Sequence, residues 1–272
     1  MIPKKIHYCW FGGNPLSEMA QKCIESWKKY CPDYEIIEWN EDNFDISCND
    51  YVKEAYEAKK WAFVTDYARL KIIYDNGGIY FDTDVEMVKP IDALLNDKAF
   101  FAMESAGIVA TGLGFGAEKQ SEIIKSLMDS YEDEHFILGE NKYNLTTCPM
   151  RDSKIFKNMG MKELDEIQHV GEAVIYPKDY FCPKNWELNK IEITENTVCI
   201  HHFDASWYSE NDKIELNEKR ARADKRNKLI DKYGIVKGNR RYIIWKNFRK
   251  LYFRMKKDGL KSSVHRWIAK RL

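Results

Sequence analysis

The chain has 272 residues, 44% of them hydrophobic and 14% aromatic, enough apolar material for one large core or two modest ones. Its 43 basic and 43 acidic residues balance, but from Lys237 onward 13 Lys and Arg face Asp258 alone, so a basic tail of about +12 follows an acidic body of about −12. An acidic body repels a closely held polyanion, seven scattered cysteines without a Cys-x-x-Cys pair argue against a disulfide framework or a zinc site, and no apolar run reaches membrane-spanning length. With no signal-type segment at the start, the body is expected in the cytoplasm.

In chain order, residues 5–10 form an apolar strand that ends at the Phe11-Gly12-Gly13-Asn14-Pro15 turn. Ser17 caps a helix running to Tyr30, closed by Cys31-Pro32-Asp33. Residues 34–39 alternate as a second strand, and 52–60 suit a helix. The stretch 61–86, WAFVTDYARLKIIYDNGGIYFDTDVE, carries the most chemistry. Phe63, Tyr67, Leu70 and Tyr74 recur at helical spacing, which predicts a core-facing stripe. Asp66 and Arg69, three apart, share a face of that helix. In an arbitrary helix they would be an ordinary surface ion pair; their place just before the aspartates that follow favours a role in a site. Gly77 after Asn76 supplies the helix stop, and a short apolar strand then leads to Asp82-Thr83-Asp84.

Residues two apart in extended backbone point to the same side, so the Asp82 and Asp84 carboxylates are expected to converge. Like charges so placed repel, and a hard divalent cation relieves them. Mn²⁺ or Mg²⁺ held by few carboxylates takes further ligands from water and substrate phosphates, which predicts a metal–diphosphate site. Downstream, 99–103 and 112–117 read as strands, 121–131 as a helix and 197–203 as a strand; this alternation predicts an α/β sandwich. The Gly112-x-Gly114-x-Gly116 run lies mid-chain with the wrong spacing for a dinucleotide loop, so tight strand packing or approach to a sugar is expected.

The segment Phe63-Val64-Thr65-Asp66-Tyr67-Ala68-Arg69, followed by Asn76-Gly77-Gly78-Ile79-Tyr80-Phe81-Asp82-Thr83-Asp84, resembles the core signature of glycosyltransferase family 32. The catalytic domains of clostridial glucosylating toxins share that pattern. Two distant elements resemble the same enzymes: residues 2–13, IPKKIHYCWFGG, as first strand and nucleotide loop, and residues 200–207, IHHFDASW, as the closing element. The resemblance implies a GT-A nucleotide-diphospho-sugar fold over residues 1–236, with 237–272 a basic helical tail.

It also implies roles. Trp10 would stack on uracil, favouring a UDP-sugar donor, and Tyr80 with Asp82 would line the substrate site. Asp66 and Arg69 would hold sugar hydroxyls. Asp82, Asp84 and a histidine would hold Mn²⁺ (or Mg²⁺); the match favours His201 over its neighbour His202, only one of which can face the site from a strand. Ser206 and Trp207 would donate to the diphosphate. The reaction implied is retaining transfer of galactose, glucose or a similar hexose to a glycan or lipid-linked oligosaccharide in capsular or other polysaccharide synthesis. No side chain is recognisable as a double-displacement nucleophile, so a front-face mechanism is expected.

Two other functional classes share part of this pattern. A haloacid-dehalogenase-like phosphatase also uses Asp-x-Asp after a strand, but near its N-terminus and continuing Gly-Thr, where this chain continues Val85-Glu86. A nucleic-acid-binding module through the basic tail conflicts with the acidic body, so no nucleic acid is expected. In 240–272, Ile243, Ile244, Phe248, Leu251, Tyr252 and Met255 recur at spacings of three and four among basic residues, and Val264, Trp267, Ile268 and Leu272 repeat the pattern. That composition predicts interfacial helices on an anionic membrane, at its cytoplasmic face, or helices that pack on the acidic body of opposite charge.

Overall fold

The computed structural model describes residues 1–140, 142–185, 190–204 and 210–258. The chain divides into two compact units, one drawn from residues 1–184 and 191–207, the other from 185–190 and 208–272.

The chain begins with β1 (Lys5–Cys9), α1 (Glu18–Tyr30), β2 (Glu35–Trp39), α2 (Asp50–Glu57) and α3 (Trp61–Asn76). Next come β3 (Gly78–Tyr80), β4 (Val85–Met87), β5 (Ala99–Ser105), β6 (Ile108–Val109) and β7 (Phe115–Ala117). Then follow α4 (Glu122–Asp129), β8 (Ile137–Gly139), β9 (Lys142–Tyr143), α5 (Cys148–Asn158), β10 (Gln168–Val170), β11 (Ala173–Tyr176) and α6 (Lys178–Phe181). Short strands β12 (Lys184–Asn185) and β13 (Lys190–Ile191) precede β14 (Cys199–His201).

The main sheet has the order β10-β11-β5-β7-β3-β1-β2, with β6 attached to β5. β1 runs parallel to β2 and β3, β5 runs parallel to β11, and β7 is antiparallel to both β3 and β5. This mixed sheet flanked by helices is the α/β organisation expected from the sequence. Its central strands β1, β3, β5, β7 and β11 are largely buried on both faces, as their near-continuous apolar runs require, while the edge strands β2 and β10 are partly exposed. Ile79 and Phe81 pack into one core layer and Tyr80 into the other; Phe100 and Phe101 alternate in the same way.

Local chemistry explains the elements around the site. Ser17 caps α1, its hydroxyl accepting the Ala20 N–H at 3.1 Å. α3 has no side-chain cap at Lys60, and residues on almost every side of it are buried. Tertiary packing therefore holds it, rather than a single amphipathic stripe. Gly77 has φ 66° and ψ −175°, a positive-φ stop that turns straight into β3.

His7 pins this region from β1. Trp39 donates to its Nδ1 at 3.0 Å, which leaves the proton on Nε2 to bond the Gly77 carbonyl at 3.0 Å. Burial lowers its pKa from 6.5 to about 4, against the pull of the Gly77 carbonyl. The fold therefore keeps His7 neutral while the unfolded chain protonates, so stability falls as pH drops from 6.5 towards 4. The loss amounts to roughly 3 kcal/mol. Denaturant unfolding of wild type and His7→Gln between pH 7 and 4 checks this; equal pH slopes would contradict it.

In the second unit α7 (Glu210–Tyr233) and α8 (Ile235–Asp258) form a helical hairpin turning at Gly234, whose φ is 77°. The helices pass closely at Gly238, where a Cβ would lie 2.5 Å from the Ile230 Cα. The sequence-based boundary at 236/237 falls in the first turn of α8. The second basic helix read from sequence, 260–272, lies outside the described residues.

Candidate active site

β3 ends at Tyr80, so Asp82 and Asp84 are not successive members of a strand. A turn brings them together instead: the Val85 N–H bonds the Asp82 carbonyl at 3.1 Å. The expected convergence is present, but its cause is the turn rather than the two-residue period of extended backbone.

β14 completes the cluster. It pairs antiparallel with β4, setting His201 opposite Val85, and the His202 N–H bonds the Asp84 carbonyl at 2.9 Å. His201 Nε2 then lies 3.2 Å from Asp84 Oδ1, while His202 Nε2 lies 2.8 Å from Glu86 Oε2, which Lys22 also holds at 2.9 Å. Of the two histidines, His201 is the one facing the aspartates. One ligand atom each from Asp82, Asp84 and His201 lies within 4.8 Å of the others. The His201 Nδ1 is buried without a hydrogen-bond partner among the described residues.

The electrostatics separate the two aspartates. Burial opposes charge on Asp84, but His201 and the Asp204 N–H at 2.8 Å outweigh it and lower its pKa to about 2. Burial raises Asp82, against the charge of Arg69. His201 is held above its ordinary value because Asp84 and Asp82 outweigh the cost of burying its charge.

Behind them α3 supplies Asp66 and Arg69, 7% and 3% exposed. The Arg69 Nη2 lies 3.2 Å from both Asp66 Oδ1 and Asp82 Oδ1, its Nε bonds the Thr65 carbonyl at 3.1 Å, and its Nη1 meets Thr111 Oγ1 and Cys148 Sγ, each at 3.4 Å. The guanidinium also lies over the Tyr80 ring at 5.2 Å, and the Tyr80 hydroxyl donates to Asp82 Oδ1 at 3.0 Å. Burial raises Asp66 to about 6 despite Arg69. The pair expected from sequence is thus buried and bridges two carboxylates.

Trp10, half-buried after β1, donates through Nε1 to the Asn14 carbonyl at 2.6 Å. Ser206 and Trp207 lie outside the described residues. The glycine run proves to be a packing device: a Cβ on Gly112 would meet Asp82 Oδ2 at 2.3 Å, and one on Gly114 would meet Phe81 at 2.5 Å. Sequence reasoning missed Thr111, Cys148 and Asp152, which reach Arg69 and its partners from two further segments. It also missed Glu104, whose carboxyl burial raises while His201 pulls the other way.

Residues 17–101, which include both α3 and the Asp82-Thr83-Asp84 turn, match the family model described as glycosyltransferase sugar-binding region containing DXD motif. Residues 17–101 of this chain are thus similar to a DXD-containing glycosyltransferase sugar-binding region. This bears out the family 32 resemblance of the signature at 63–84, while the elements at 2–13 and 200–207 lie outside the matched residues. Inositol phosphoceramide mannosyltransferase 3 of Schizosaccharomyces pombe is 31% identical over 123 residues, 42% of this chain and 33% of that protein. Subversion of eukaryotic traffic protein A of Legionella pneumophila is 23% identical over 198 residues, 59% of this chain and 30% of that protein. The chain thus spans about a third of the length of these curated relatives. Among solved structures, PaToxG glycosyltransferase aligns with a TM-score of 0.46 at 19% identity, over 58% of this chain and 69% of that one.

Proposed function

We propose that the chain is a metal-dependent, retaining glycosyltransferase that moves a hexose from a UDP-sugar to a glycan or lipid-linked glycan in polysaccharide synthesis. The observation that supports this best is the convergence of Asp82, Asp84 and His201. Two carboxylates and one imidazole fit a first-row divalent ion, Mn²⁺ better than Mg²⁺. Asp82, Asp84 and His201, each offering one ligand atom within 4.8 Å of the others, would hold it. Such an ion, when bound, would supply Lewis-acid stabilisation of the departing nucleoside diphosphate.

The chain's own residues divide the remaining work. Arg69 and Tyr80 orient Asp82, while the Asp204 N–H orients Asp84. We assign Asp66 and Arg69 to the donor-sugar side and Trp10 to the nucleobase. Trp10→Ala should then weaken UDP binding by about 1–3 kcal/mol, the cost of losing one stacked base. Calorimetric titration with UDP checks it, and unchanged affinity would remove Trp10 from the base site.

Hydrolysis of UDP-glucose, UDP-galactose, UDP-N-acetylglucosamine and GDP-mannose with Mn²⁺ tests the function; the last enters because a relative is named as a mannosyltransferase. Turnover of at least one of the UDP-sugars, with the anomeric configuration retained in the transfer product, is expected, and turnover of GDP-mannose alone would overturn UDP as the donor nucleotide. Turnover of none would sink the reading.

We further propose that the α7–α8 hairpin docks on an anionic membrane at its cytoplasmic face. In α8 Ile243, Ile244, Phe248 and Tyr252 are each more than half exposed. Beside them a groove of about 540 Å³ is lined by Lys219, Arg222, Arg226 and Lys246, among others. Each basic residue near such a surface contributes on the order of 1 kcal/mol, so Lys246→Glu with Lys250→Glu should lower sedimentation with phosphatidylserine vesicles by at least about tenfold. Unchanged sedimentation would rule out this face.

A further inference from the structure

We infer that Asp152 is a positioning residue for the proposed sugar site: through Thr111 it fixes the guanidinium of Arg69, which Asp66 and Asp82 share. The activity arm of the test below rests on the glycosyl-transfer reading; the structural arm does not.

α5 turns Cys148, Asp152 and Ser153 inward, and Asp152 is 1% exposed. The Thr111 hydroxyl donates to Asp152 Oδ2 at 2.9 Å. A hydroxyl has one hydrogen. Once it is committed to Asp152, the Thr111 oxygen turns its lone pairs to Arg69 Nη1, 3.4 Å away. Without Asp152 that hydrogen can swing toward the guanidinium, where two donors would oppose each other. Asp152 therefore sets the direction of a dipole that holds one arm of Arg69, while Asp66 and Asp82 hold the other.

The bland alternative is that Asp152 only fastens α5 to the loop between β6 and β7. Its neighbour Ser153 provides the control, since its hydroxyl accepts the Val109 N–H at 3.0 Å without touching Arg69. A fastening role predicts that losing either residue has the same consequence. A positioning role predicts that only the Asp152–Thr111 pair changes Arg69. Asp152→Asn separates geometry from charge, because an amide oxygen can still accept from Thr111.

Two measurements on the full chain decide between them. First, the Nε–H of Arg69 is followed by nitrogen-15 NMR of arginine-labelled protein, assigned by its loss in Arg69→Lys. Asp152→Ala and Thr111→Val should shift this signal and speed its hydrogen exchange by about tenfold or more, with Ser153→Ala within about twofold and Asp152→Asn within about threefold of wild type. Second, for the sugar nucleotide turned over best, Asp152→Ala and Thr111→Val should lower kcat by about tenfold or more with UDP affinity within about threefold, and Asp152→Asn should recover most of the loss. If Asp152→Ala fails to fold, the near-isosteric Thr111→Val carries both measurements. An Arg69 signal that ignores Asp152 and Thr111, or responds equally to Ser153→Ala, overturns the inference. A wild-type protein that turns over no sugar nucleotide sinks the glycosyl-transfer reading instead, and the Arg69 signal still decides the positioning claim.

Discussion

Arg69→Ala is expected to destabilise the fold by about 3–5 kcal/mol, the cost of removing one partner from a buried ion pair. Asp66 and Asp82 would lose the cation that lies 3.2 Å from each. Asp66, already raised to about 6 by burial, would be driven towards its neutral form. Arg69→Lys should recover little, because a point charge cannot replace a planar fork that reaches Thr65, Thr111, Cys148, Asp66 and Asp82 at once. Adding Asp66→Asn to Arg69→Ala should restore part of the stability by removing one orphaned charge. Urea unfolding of the three variants measures this, and a loss below about 1 kcal/mol for Arg69→Ala would mean that the pair behaves as a surface bridge.

The second large effect is on activity. Asp84→Asn should abolish donor turnover beyond the roughly 10–100-fold that loss of an outer partner of a metal ligand costs, since it removes a proposed ligand itself. The fold should survive, because the side chain is 17% exposed and its replacement keeps the shape and the oxygen that accepts from Asp204. Circular dichroism together with nucleotide-release assays distinguishes the two outcomes. A folded Asp84→Asn protein with full turnover would remove Asp84 from the site.

Much of this arrangement was legible in the chain. The helix, glycine stop, apolar strand and pair of aspartates at 61–86 are contiguous, so a converging acidic site could be read from spacing alone. Ser17 at the start of α1 and the strand–helix alternation were readable for the same local reasons. His201 could be named only through its resemblance to a family element; the ladder between β14 and β4 is what turns it, and not His202, towards Asp84.

What was not legible is non-local or depends on the turn itself. Period-two reasoning treated Asp82 and Asp84 as strand residues, whereas a bond from Val85 to Asp82 closes a turn there. Thr111, Cys148 and Asp152 carry no motif; they matter because the loop before β7 and the buried face of α5 meet α3 at Arg69. The stripe of Phe63, Tyr67, Leu70 and Tyr74 does face the core, but a helix packed on nearly every side has no polar face to betray its buried acid and base. α7 escaped notice because its charges spread around the helix, and its packing against α8 at Gly238 needs both partners in view.

The central claim is that Asp82, Asp84 and His201 hold a divalent ion that donor turnover requires. Nucleotide release from the four sugar nucleotides, assayed in chelator and then with Mn²⁺ restored, tests it most directly. Turnover that vanishes in chelator, returns with Mn²⁺ and is absent from Asp84→Asn under both conditions is the result predicted. Full turnover in chelator would contradict it.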